Sequence, residues 1–260
     1  MKKIIYLEFK RLIKSIRFFF DILFFFSRLF KIFEYKKYLS GKNILIIGGS
    51  DLNKKKIIYL KKRKIAIATL NQYALTKLSK VIIPNFYFLI DDLRLDFTRK
   101  DNLKILKYIK KNNITLIVPL QLKSRIKKKL DKIKIKNILY INASFSRILG
   151  FINPIFPRSF SGMTLLSMLS FFLYLDANKI YLTGFKSDIF RNFEVDNLNQ
   201  SKIKYKSWDK NYTVKKKYSI SSFLTAFGIF FYDCERFEKK FPNKIFNLDK
   251  TSYITAFKKI

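Results

Sequence analysis

Six short apolar runs, "ILII", "IAIATL", "FYFLI", "TLIVPL", "ILYI" and "IYLT", punctuate this chain, and each ends at a glycine or a polar residue. Four to six residues is strand length, and the absence of apolar–polar alternation means that both faces of each strand are buried. Intervening stretches such as "DLNKKKIIYLKKRK" carry helical spacing, so successive strands read as parallel neighbours joined by crossover helices. The expectation is an α/β fold with a mostly parallel sheet and flanking helices over residues 41–260, preceded by an N-terminal helix in residues 1–40. "SGMTLLSMLSFFLYLDANKIYLTGF" supplies a core helix over 163–175 and then a strand. The tail from Ser219 predicts a helix, a short strand and a final helix. Residues 193–217, lysine-rich and strand-poor, read as a lid-like excursion from the sheet.

The segment "KRLIKSIRFFFDILFFFSRLFKIF" is rich in Phe, but Arg17, Asp21 and Arg28 interrupt it. Its uncharged runs fall well short of the about 18 residues that a spanning helix needs. On a helical wheel Lys10, Lys14, Arg17, Asp21, Arg28 and Lys31 share about a third of the circumference, and Phe, Leu and Ile cover the rest. That is a basic amphipathic helix suited to an anionic membrane interface, with docking on its own domain as the alternative.

Formal charge is +36, which favours an anionic partner. The lysines are spread along the chain rather than gathered on a recognition motif, which argues against nucleic acid. A/T-rich coding would produce the same Lys, Ile, Phe, Asn and Tyr usage unaided. There is no His and one Cys, Cys234, so a His/Cys zinc site and a disulfide framework are excluded. Cys234 reads as a small helix residue. Acid–base work would fall to Asp, Glu, Lys or Tyr.

The carboxyl ends of the predicted strands collect the polar candidates. Gly48, Gly49 and Ser50 follow the first strand without the G-x-G-x-x-G or P-loop patterns. Asn71 stands where a dinucleotide site would want an acid, which disfavours NAD; its amide suits a ribose or a pyrimidine edge, or else caps a helix over Tyr73–Lys80. Asp91, Asp92 and Asp96 offer carboxylates for Mg²⁺, at a spacing that departs from the D-x-D element of metal-dependent glycosyltransferases; solvated carboxylates are the alternative. Ser161 and Gly162 open the core helix, whose free amides suit a phosphate or carboxylate.

Taken together, "ILIIGGS", "LNQYAL", "RSFSGMTLLSMLSFFLYLDANKIYLTGF" and "NKIFNLDKTSYITAF" resemble the bacterial sialyltransferases of the Campylobacter and Haemophilus lipooligosaccharide type. They also resemble a broader related group that includes 6-hydroxymethylpterin pyrophosphokinase-like proteins. The resemblance spans residues 43 to 260. It implies a Rossmann-like fold, metal-independent inverting transfer from a CMP-sugar, and peripheral attachment to the cytoplasmic face of the inner membrane. Donor contacts carried over by the resemblance are Gly48, Gly49, Ser50, Asn71, Ser161 and Gly162. The family's general-base His and its pair of Tyr have no counterpart in "SSFLTAFG" or "GFKSDIFRNF". Asp188 is then the candidate base, and Lys186 or Arg191 the candidate neutraliser of a leaving phosphate.

The leading expectation is a membrane-associated glycosyltransferase of cell-surface polysaccharide or lipooligosaccharide biosynthesis. It would take a nucleotide-sugar donor and a glycan or lipid-linked acceptor, with no cofactor. The alternatives are a pterin pyrophosphokinase-like enzyme needing ATP and Mg²⁺ near Asp91 and Asp92, and a non-catalytic relative that keeps the fold.

Overall fold

The structure, a computed structural model, describes residues 26–49, 57, 65–91, 94–143, 152, 154, 163–185, 193–195, 201–203 and 220–260. In chain order these form α1 (Phe26–Leu39), β1 (Ile44–Ile47), β2 (Ala66–Leu70), β3 (Phe86–Phe88), α2 (Lys100–Lys111), β4 (Thr115–Pro119), α3 (Lys123–Ile133) and β5 (Ile138–Ile141). Then come α4 (Thr164–Tyr174), β6 (Ile180–Thr183), β7 (Phe193–Val195), β8 (Ser201–Ile203), α5 (Ile220–Lys240), β9 (Ile245–Asn247) and β10 (Lys258–Lys259).

Eight strands make one sheet in the order β10-β9-β6-β1-β2-β3-β4-β5. Every pairing in it is parallel. The fold is therefore α/β and Rossmann-like in its winding, as the apolar runs predict. Side chains alternate along each strand and feed two cores. Ile44 and Ile46 of β1 and Phe86 and Phe88 of β3 face one core, whereas Leu45, Ile47 and Tyr87 face the other.

The helices divide between these cores according to the direction in which the sheet is being built. From β1 to β5 the chain moves one way, and Ile57, Ile105, Leu106, Ile109, Ile126 and Leu130 cover one face. After β5 it returns to the far side of β1, and α4 and α5 cover the opposite face through Leu166, Phe171, Phe172, Phe230 and Phe237. Right-handed crossovers running in opposite directions require this exchange of faces.

On the second face α4 is buried at every position from Thr164 to Phe172, which explains a helix apolar on most sides. Phe171 and Phe172 meet Phe86 and Phe88 at ring separations of 5.6 to 6.4 Å. Such aromatic contacts add about 0.5–1.5 kcal/mol each beyond area burial. α1 docks on the same face. Ile32 and Leu39 enter the core, Tyr35 lies edge-on to Phe86, and its hydroxyl bonds Thr115 Oγ1 at 3.0 Å. Among the described residues no helix is long and apolar enough to cross a membrane.

One expectation is corrected. No final helix forms: Ser252, Ile254 and Phe257 bury an extended tail that ends as β10 beside β9. Side chains supply the backbone bonds that a helix would have made. Ser252 Oγ donates to the Phe185 carbonyl at 2.6 Å and accepts from the Ile254 amide at 3.2 Å, and Asn247 Nδ2 donates to the Ile254 carbonyl. Within the stretch after β6, β7 and β8 pair antiparallel as a separate two-stranded sheet. Residues 204–217 lie outside the described residues.

Candidate functional site

In an open parallel sheet, strands that leave in opposite directions open a crevice at their carboxyl ends, and ligands bind there. The switch falls between β1 and β6, which pair from Ile44–Ile180 to Ile47–Thr183. Gly48 and Gly49 leave one strand, and Gly184 and Phe185 the other.

The floor of this crevice is glycine backbone. The Gly48 amide donates to the Thr183 carbonyl at 2.7 Å. A Cβ on Gly48 would lie 2.3 Å from the Gly184 oxygen, so a side chain at residue 48 would force the two strand ends apart. Gly184 turns away at φ +78°, a conformation that costs glycine nothing.

Asp249, just past β9, holds the β6 end in place. Its Oδ1 accepts from Thr183 Oγ1 at 2.9 Å, and Oδ2 accepts from the amides of Gly184 at 2.6 Å and Phe185 at 3.1 Å. The group is buried, and these donors make it a fixed part of the crevice wall. Sequence reading passed over Asp249. The available signal was the polar pair Asn247 and Asp249 at the end of an otherwise apolar strand; Asn247 Oδ1 accepts from the Asp249 amide at 3.1 Å.

Asn71 ends β2, one strand from the switch, and is left-handed at φ +51°. It does not cap a helix: two 3-10 turns follow, and Gln72 precedes the first. Tyr87 fixes the turn, its hydroxyl donating to the Asn71 carbonyl at 2.7 Å and accepting from the Ala74 amide at 3.0 Å. Burial pushes the Tyr87 phenol far above its ordinary range. Tyr73 adds a bond to the Ile82 carbonyl at 2.8 Å. The buried Asn71 Oδ1 has no hydrogen-bond partner among the described residues. An acceptor left in that state costs about 1–3 kcal/mol.

α4 follows β5 in a crossover and runs opposite to the strands, so its amino end opens at the sheet's carboxyl edge. Met163 occupies the N-cap with extended backbone and no side-chain cap. Ser161 and Gly162, just upstream, lie outside the described residues, as do Ser50, Lys186, Asp188 and Arg191.

Asp91 is exposed just beyond β3, and its carbonyl accepts from the Arg94 amide at 2.9 Å. Asp92 lies outside the described residues. Asp96 turns its carboxylate to Thr98, accepting from the hydroxyl at 2.6 Å and the amide at 3.1 Å. Those bonds hold its carboxyl below the usual range. Among the described residues no group of three metal-ligating side chains is formed.

The structure thus brings Gly48, Gly49 and, one strand away, Asn71 to the carboxyl edge where the sheet reverses. Backbone amides, a polar side chain and a helix amino end converging at one edge can hold a phosphate and orient a nucleoside. No protein-family model matches the chain, and no curated protein matches it.

Proposed function

We propose that the chain is a membrane-associated glycosyltransferase, sialyltransferase-like, that takes a nucleotide-activated sugar at the β1/β6 crevice. The observation that carries this reading is the buried Asn71 Oδ1, without a partner among the described residues, beside a glycine-floored switch point. A base or ribose N–H or O–H donor arriving there would satisfy the amide. The diphosphate or phosphate portion would lie over Gly48, Gly49 and Ser50 and against the amides at Ser161–Gly162.

In the transfer step a base takes the proton of an acceptor hydroxyl, whose oxygen forms a bond to the anomeric carbon as the bond to the nucleotide phosphate breaks. Asp188 is proposed as that base. Lys186 is proposed to balance the charge growing on the leaving phosphate, with Arg191 as the alternative. The acceptor is a glycan or lipid-linked glycan, and the place of work the cytoplasmic face of the inner membrane. The test is a thermal-shift screen with CMP, CDP, CTP, UDP, GDP and ATP, each with and without Mg²⁺. The full chain is required, because Ile32 and Leu39 are core residues that an N-terminal deletion would remove. A ligand at 100 times its Kd stabilises the native state by about 2.7 kcal/mol. A metal-independent shift with CMP is expected. A shift with ATP that needs Mg²⁺ would favour the pyrophosphokinase-like alternative, and silence across the panel the non-catalytic relative.

A further inference from the structure

Six of the ten exposed large apolar side chains among the described residues sit on only two helices, Phe30, Phe33 and Tyr38 on α1 and Leu224, Ile229 and Tyr232 on α5. The two helices are far apart in sequence, yet both cover the same face of the sheet. Phe30 and Phe33 are 64% and 55% exposed and stand on the side of α1 opposite Ile32 and Leu39. Tyr232, 61% exposed, stands opposite Phe230 and Cys234 on α5, and Leu224, 53% exposed, and Ile229 flank it on either side.

Cations flank the α1 patch, where Lys31, Lys36 and Lys37 are exposed against Glu34. On α5, Arg236, Lys239 and Lys240 gather at the carboxyl end beyond Tyr232, with exposed Glu235 and half-buried Glu238 among them and Arg236 paired to Asp233. The opposite face differs in kind. Helices α2 and α3 expose lysine after lysine, but no large apolar side chain between residues 100 and 136 is exposed.

We infer that the α1/α5 face is the surface that lies on an anionic phospholipid bilayer, with Phe30 and Phe33 at one contact and Leu224, Ile229 and Tyr232 at a second. Exposed aromatic and aliphatic side chains, with lysines beside those of α1, match the boundary between anionic headgroups and acyl chains. A second copy of the chain matches less well, because a two-fold contact through α1 sets its basic rim against itself. With this face down, the sheet and its carboxyl edge lie parallel to the membrane plane. The crevice then opens sideways along the surface, where a lipid-linked acceptor travels. The inference deepens the membrane part of the proposed function and is independent of its nucleotide part, so the thermal-shift screen and the assay below fail separately.

The assay is flotation of the full chain with vesicles of phosphatidylglycerol and phosphatidylethanolamine, and with neutral phosphatidylcholine vesicles. Phe30→Ser with Phe33→Ser, and separately Leu224→Ser with Ile229→Ser, should each lower partitioning into anionic vesicles roughly tenfold. Val81→Ser with Ile83→Ser, equally exposed but on the loop after β2, should leave it unchanged. Ile229→Cys carrying an environment-sensitive fluorophore should shift to the blue on anionic vesicles; the buried Cys234 thiol, pushed up by burial, does not compete for the label. Unchanged partitioning of the α5 pair together with an unshifted probe overturns the inference. So does a dimer in analytical ultracentrifugation that the α5 pair dissolves without loss of vesicle binding, which would assign the face to a second copy.

Discussion

Three glycines occupy three different environments, and replacing each with alanine should move stability in a fixed order. At Gly48 the new methyl would meet the Gly184 oxygen at 2.3 Å, the Gly184 carbon at 2.8 Å and Phe185 Cδ1 at 3.1 Å. Backbone cannot swing aside as a side chain can, so the ends of β1 and β6 must part by about 1 Å to restore ordinary contact. Overpacking costs about 1–3 kcal/mol. The Gly48–Thr183 bond, 2.7 Å long, lies across the gap that opens. Its weakening adds about 1 kcal/mol. A total of about 2–4 kcal/mol should lower Tm by roughly 5–15 °C. Gly41 has nothing within 4 Å of a built Cβ but sits at φ +71°. Alanine there pays only left-handed strain of about 1–2 kcal/mol, a loss of a few degrees. Gly228 also has open space, and it lies inside α5. Alanine there should stabilise by about 0.5–1 kcal/mol. Thermal melts followed by circular dichroism would read all three. Gly48→Ala melting within about 2 °C of wild type, or above Gly41→Ala, would refute the close-approach argument.

Asp249→Asn turns a carboxylate that accepts three bonds into an amide presenting donors to donors, and should cost about 2–4 kcal/mol in urea unfolding; a midpoint unchanged from wild type would show that the β6 end is held by something else. Asn71→Gly keeps the positive φ and removes the unpartnered oxygen, so the ligand-free protein should melt no lower than wild type while its response to nucleotide shrinks. An undiminished nucleotide shift would remove Asn71 from the site. Burial, followed by the neighbouring Asp233 and Glu235, holds the Cys234 thiol protonated in the fold. The folded chain therefore keeps a proton that the unfolded chain loses near about pH 8.5, and stability present below that pH declines above it. The Tm gap between wild type and Cys234→Ala should narrow from about pH 8 to 10; comparing the two cancels the lysine titration, and a constant gap would contradict the assignment. Burial also pushes Tyr108 up to about 12, so its own contribution persists further into the alkaline range.

The strands were legible because a parallel strand buried on both faces has to be apolar throughout, and "ILII" or "TLIVP" states that locally. The burial of α4 was legible for the same reason. Asn71 and Gly48 could be picked out because a glycine or an amide directly after such a run interrupts it at the sheet's carboxyl edge. Asp249 was hidden because its three partners lie 64 to 66 residues earlier. An acid after a strand looks the same in sequence whether it is solvated or tied down. The tail misled because "TSYITAF" has no local mark distinguishing a helix from an extended segment whose backbone is satisfied by Ser252 and Asn247. The docked half of α1 reads as one amphipathic pattern with the residues before it, yet burial of Ile32, Tyr35 and Leu39 depends on a groove that only the assembled sheet provides.

The place of β1 in the sheet imposes a schedule on biosynthesis. Ile44 pairs on one side with Ala66 and on the other with Ile180. A nascent chain can zip β1 to β5 as they leave the ribosome, but the other edge of β1 waits for β6, more than a hundred residues after β1 itself. Until then an apolar strand presents an unpaired edge, the kind of surface that chaperones shield. The crevice matures later still, since its β6 wall is tethered only once Asp249 has been made. Ribosome-bound intermediates should therefore complete the crevice abruptly and late, after most of the sheet has formed.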